Sequence, residues 1–213
     1  MQFTSDLLWA SFRKAFVDTT NEISIVDFEK AWISSGDRTM FYFDSLLPTI
    51  AKKLDLTFEK EMIYRIDGVF SKVGGQNTKV PVIYLESEND IRTSEREVNK
   101  LCMLNAPLKI LMVCNEWNEA SKKLIKEYYW DYIIEDFAEQ IGLKGVFAVI
   151  IGEWNETLKI YTHVFNDKGE IIEDGLLLEK YVSKTLCKIP RPRLTRRTTN
   201  SQHGYCCKCG RTL

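Results

Sequence analysis

Near residue 57 the apolar pattern of this chain changes period, and that change restricts the fold more than any other feature of the sequence. Before it, Leu7, Leu8, Phe12, Ala15 and Phe16 recur at helical spacing, and a second helix opened by Ser24 runs through Phe28 and Trp32. Ser34-Ser35-Gly36-Asp37 has the composition of a loop, and residues 40–54 have the pattern of another amphipathic helix despite Pro48. After it, residues 62–70, 80–85, 108–114 and 145–154 are rich in Val, Ile and aromatic side chains and are predicted as strands. A helical amino-terminal part, residues 1–57, is therefore expected to precede an α/β core over 58–188.

The connections supply the order. Val73-Gly74-Gly75-Gln76-Asn77-Thr78 has hairpin chemistry between the first two strands. Ser94-Glu95-Arg96-Glu97, followed by Val98, Leu101 and Leu104, predicts a helix with a capping box before the third strand. Residues 119–141 predict one long, aromatic-rich helix, and 158–165 followed by Asn166-Asp167-Lys168-Gly169 predicts a second hairpin. Helix, strand, strand, helix, strand, helix, strand, strand is the order of a layered, mixed α/β domain.

At 213 residues, with 45% apolar and 28% charged side chains, the chain can bury a full core, which excludes wholesale disorder and a disulfide-stapled miniprotein. Its net charge of −1 hides an asymmetry: residues 181–213 hold eight basic and no acidic side chains, which leaves residues 1–180 at −9. Residues 189–213, interrupted by Pro190 and Pro192, are expected to form a flexible basic arm. Nothing at the amino end resembles a signal peptide and no apolar run is long enough to span a membrane, so a cytoplasmic protein with reduced cysteines is expected.

The most informative residues are carboxylates. Asp67 interrupts an apolar run, and Glu86 and Glu88 close the next strand, two residues apart and so on one face. If the two strands pair antiparallel, Asp67 stands about 5 Å across from them. Three carboxylates converging on a sheet face repel one another unless a cation neutralises them, and an all-oxygen ligand set suits Mg²⁺ or Mn²⁺. A metal-activated water attacking a phosphodiester is the chemistry such a site supports. The alternative is that Glu86-Ser87-Glu88-Asn89-Asp90 is a solvated strand end.

An Asp on one strand, a hairpin, an acidic-x-Lys motif on the next, then a helix and another strand form the signature of the PD-(D/E)xK nuclease-like superfamily, which this chain resembles over about 55 residues. It has Ile66-Asp67, an 18-residue linker, Glu86-Ser87-Glu88, a helix after Glu95 and a strand from Leu108. The resemblance implies a restriction endonuclease-like mixed sheet flanked by helices, with Asp67 and Glu86 as metal ligands in a Mg²⁺- or Mn²⁺-dependent endonuclease acting on DNA. Ile66 stands where the family has Pro, and Glu88 stands where it has Lys. Some restriction endonucleases carry Glu there, which makes Glu88 a third acid or water-orienting group. Others move the Lys to the following helix, which makes Lys100 a candidate base or charge partner; its plainer reading is an exposed helix lysine. A member that has lost chemistry and retains nucleic-acid or protein binding is the other outcome.

Further candidates lie outside this motif. Lys184, Lys188, Arg191, Arg193, Arg196 and Arg197 would make sequence-independent phosphate contacts. Cys206 and Cys209 form a C-x-x-C-G turn like one zinc-ribbon knuckle, which His203 and Cys207 could complete to four ligands; spare thiols in a frayed end are the plainer reading. Asp44 is a possible extra acid from the preceding helix. Glu61, six residues from Asp67 along an extended run, is expected about 20 Å away. His163 is expected as a packed or surface imidazole. Tyr128, Tyr129, Trp130, Tyr132 and Phe137 point to core packing or a homodimer contact. The absence of a phosphate-binding Gly loop, a G-x-S-x-G and a paired His-Glu helix motif leaves nucleotide-cofactor, serine hydrolase and zinc protease readings without support.

Overall fold

Two serines start the short amino-terminal helices in the computed structural model, which describes residues 4–61, 65–155 and 157–181. After α1 (Ser5–Glu22), the Ser24 hydroxyl accepts from the Asp27 amide to cap α2 (Ile25–Ala31). The Ser34 hydroxyl accepts from the Asp37 amide to cap α3 (Ser35–Phe41). The segment expected as a loop at Ser34 is thus a helix start, because Ser and Asp spaced three apart satisfy free amides of a first turn. The helix continues through a π turn at Tyr42–Leu46 into α4 (Leu47–Lys53). Pro48 lies in the first turn of α4, where its missing N–H is tolerated.

Seven strands follow: β1 (Thr57–Lys60), β2 (Gly68–Val73), β3 (Lys79–Glu88), β4 (Leu108–Cys114), β5 (Val146–Trp154), β6 (Thr157–Phe165) and β7 (Ile171–Tyr181). They form one mixed sheet in which each strand lies beside its sequence neighbour. β1, β2 and β3 pair antiparallel, β3, β4 and β5 pair parallel, and β5, β6 and β7 pair antiparallel. Parallel neighbours require crossovers. These are α5 (Glu95–Cys102) and the pair α6 (Glu119–Tyr128) and α7 (Asp131–Gln140), which cover one face while α1–α4 cover the other. The molecule is an α/β protein with a seven-stranded mixed sheet flanked by helices.

The α1–α4 face is closed by Phe12, Phe16, Phe28, Phe70, Ile83, Leu85, Ile110 and Ala148, all nearly or completely excluded from solvent. Phe12 meets Phe70 edge to face at 5.8 Å. Alternation along each strand puts Val69, Tyr84, Leu111, Val149 and Phe165 on the other face, beneath α5–α7.

Three predicted elements differ from the structure for identifiable reasons. The strand expected over 62–70 begins at Gly68, since Arg65 lies in the left-handed region (φ 58°); residues 62–64 are outside the described residues. The strand β1, unforeseen in the sequence, pairs with β2, and the Glu61 amide donates to the Asp67 carbonyl at 3.1 Å. Glu61 and Asp67 are therefore neighbours across a hairpin, and the expected 20 Å separation does not hold.

The long helix expected over 119–141 is broken at Tyr129 and Trp130, whose backbones leave helical geometry. The break turns Trp130 fully inward, where it stacks on Trp117 at 6.0 Å and donates from Nε1 to the Ser94 hydroxyl at 2.7 Å. Ser94 itself donates to the Ile91 carbonyl and makes no cap bond, so the expected capping box is absent. A short 3₁₀ turn, Ile91–Thr93, leads into α5 in its place. No helix among the described residues is long and apolar enough to cross a membrane.

Candidate functional site

Asp67 immediately precedes β2, and Gly68 is paired with Leu85, so Asp67 lies at the position beside Glu86 on β3. The Asp67 carboxylate is fixed by accepting from the Ser87 amide at 2.9 Å. Glycine at 68 is required by this arrangement: a Cβ there would lie 2.8 Å from the Phe58 ring.

Glu86 is 1% exposed and lies across from Asp67 in the strand register. From α5, Lys100 Nζ reaches Glu86 Oε1 at 2.6 Å, the Arg65 carbonyl at 3.5 Å and Glu97 at 3.8 Å. Burial pushes the Glu86 carboxyl up to about 8; the Lys100 hydrogen bond opposes that rise and the neighbouring Asp67 adds to it. The Asp67 and Lys100 side chains are only partly buried, so solvent reaches the edge of this group.

The structure thus brings Asp67, Glu86 and Lys100 together, with Glu97 beside the lysine. It does not bring in Glu88. That side chain shares the Glu86 face, but its Oε1 accepts from the amides of Asn89 and Asp90, turning the chain at the end of β3. Among the described residues no group of three His, Cys, Asp or Glu side chains could hold a metal, so the expected three-carboxylate cluster is not formed. Asp44 is exposed and pairs with Lys60. Lys184, Lys188, Arg191, Arg193, Arg196 and Arg197, and the possible zinc ligands His203, Cys206, Cys207 and Cys209, lie outside the described residues.

A second buried polar group was not foreseen. His163 is 3% exposed, with Nε2 3.0 Å from Oδ1 of the buried Asp131, at the start of α7. The two residues are 32 apart, and no sequence signal links them. Register connects this group to the first: Glu86 pairs with Leu111, Leu111 with Val149, Val149 with His163, and His163 with Asp174. Glu86 and His163 therefore occupy one cross-sheet row on the same face, three strand spacings or about 14 Å apart.

Comparison of the chain with protein-family models, curated proteins and solved structures finds no match.

Proposed function

We propose that this protein is a metal-dependent nuclease with a restriction endonuclease-like fold that hydrolyses phosphodiester bonds in DNA. The observation that carries the proposal is the convergence of Asp67, Glu86 and Lys100, from the start of one strand, the end of its hairpin partner and the following helix. Two apposed carboxylates, one buried and held with a raised proton affinity, are a donor set that a small divalent cation suits, with water and substrate phosphate supplying the remaining oxygens.

Asp67 and Glu86 would hold Mg²⁺ or Mn²⁺. The bound ion would activate water and stabilise the leaving oxygen. Asp67 is oriented by the Ser87 amide before any ligand arrives. The lysine ammonium stands beside Glu86, where it neutralises charge and can orient a water or the substrate phosphate. Lys100 thereby takes the role expected of a lysine moved from the strand to the helix, and Glu88 a structural one. The basic segment from Lys184 to Arg197 would add salt-dependent phosphate contacts, in a protein working in the cytoplasm.

Lys100 also hydrogen-bonds Glu86 without any metal, and that contact favours a second reading, a nucleic-acid- or protein-binding module that has lost chemistry. One assay separates them: DNA incubated with purified protein and Mn²⁺ or Mg²⁺, beside Asp67→Ala, Glu86→Ala and Lys100→Ala. Cleavage that falls by two orders of magnitude or more in the first two variants supports the nuclease. DNA binding without cleavage by the unaltered protein supports the module, and cleavage unchanged by Asp67→Ala and Glu86→Ala removes the site from either account.

A further inference from the structure

Lys100 lies between two carboxylates of different character. Its Nζ is 2.6 Å from Glu86 Oε1 and 3.8 Å from Glu97, three residues back on α5 and so a neighbour on the helix surface. Glu86 is closed to solvent, whereas the Glu97 side chain is 21% exposed and has no other ion pair or hydrogen bond among the described residues. The Arg65 carbonyl, 3.5 Å from Nζ, is a further acceptor within reach. The ammonium therefore rests against the buried carboxylate with an uncommitted one beside it.

A lysine ends in three rotatable donors on a flexible four-carbon stem, so Nζ can pass from Glu86 to Glu97 by turning its own torsions, with α5 left in place. An ion held by Asp67 and Glu86 would set two further positive charges beside this ammonium. In a partly buried group water screens that repulsion poorly. Glu97 is the nearest carboxylate at which Lys100 keeps a negative partner, and it lies on the solvent side of the group.

We propose that Lys100 has two positions: it neutralises Glu86 in the metal-free protein and transfers to Glu97 when a divalent ion binds at Asp67 and Glu86, which turns its remaining donors towards a substrate phosphate. The proposal rests on the metal site of the preceding reading and adds an order to it, metal first and phosphate second. Glu97 is a positioning residue on this account, acting on the ion only through Lys100.

Calorimetric titration of the full chain with Mn²⁺ at one fixed pH tests this without turnover, in the unaltered protein, Glu97→Gln, Lys100→Met and the double variant. Both positions are partly exposed, so the variants are expected to fold. Glu97→Gln should weaken Mn²⁺ binding about fivefold where Lys100 is present and leave it unchanged in the Lys100→Met background. Equal weakening in both backgrounds shows that Glu97 attracts the ion directly and overturns the proposal, as does no weakening in either. Failure of the underlying reading is distinguishable: the unaltered protein would not bind Mn²⁺, or Glu86→Gln would bind it equally well, and the proposal would fall with it.

Discussion

The two faces of the sheet are built from opposite materials. Beneath α1–α4 the strands present Phe70, Ile83, Leu85, Ile110 and Ala148 to a layer of Phe, Trp and Leu, and among the described residues the only charged side chain buried there is Arg38, at the margin against Asn89. Beneath α5–α7 the same strands carry Glu86, Lys109 and His163 among apolar neighbours, and α7 adds Asp131. Burying ionisable groups costs stability unless they are paired, so the second face depends on the Glu86–Lys100 and His163–Asp131 contacts in a way that the first does not. The proposed catalytic group lies on that second face.

The sharpest way to break this contrast is to damage the apolar face. Phe12→Ala should cost about 3–5 kcal/mol, measured by denaturant unfolding, with the same loss at every pH. A pH-dependent loss would show that the two faces are coupled.

The polar face should instead make stability depend on pH. Glu86 is raised to about 8 from an ordinary 4.5, so between those values the folded chain holds a proton that the unfolded chain has released; this stabilises the fold at low pH and is lost as pH rises through about 8. Burial lowers Lys109 to about 8 from 10.5, which makes stability rise with pH above 8. Cys102, pushed up to about 12 by burial, opposes that rise above about 9. In metal-free buffer the melting temperature should therefore fall from pH 5 to a minimum near 8 and recover slightly towards 9. Glu86→Gln should abolish the fall and Lys109→Met the recovery. If a divalent ion binds at Asp67 and Glu86, added Mg²⁺ should raise the midpoint at pH 8 and fail to do so in Glu86→Gln.

Smaller changes compare single hydrogen bonds on the two faces. Ser94→Ala strands the buried Trp130 N–H and should cost about 1–3 kcal/mol. Ser24→Ala removes a solvent-exposed helix cap on the opposite layer and should cost about 1 kcal/mol. Equal losses in thermal or denaturant unfolding would show that Trp130 finds another acceptor.

Asp67 and Glu86 could be singled out from sequence because Asp67 interrupts an apolar run and Glu86 closes the next strand, although a solvated strand end reads the same way for Glu86. Lys100 was legible only through a family resemblance, since its spacing in α5 suits an exposed lysine equally well. For Glu88, period-two alternation gives the face of the side chain but not where its carboxylate turns at a strand end, where Oε1 accepts from the Asn89 and Asp90 amides. Trp130 looked like part of a continuous helix because helical spacing persists through it, and only its contacts with Trp117 and Ser94 reveal the break.

Local sequence determined the helix starts at Ser24, the boundaries of β4, the hairpin after β6 and the mixed α/β class, because caps, turns and apolar periodicity act over a few residues. Tertiary structure alone decided that Glu86 and His163 share one row, that Asp131 meets His163, and that Glu61 lies beside Asp67. Those pairings depend on strand register and crossover geometry, which arise from the packing of the whole sheet and leave no mark at any one position in the chain.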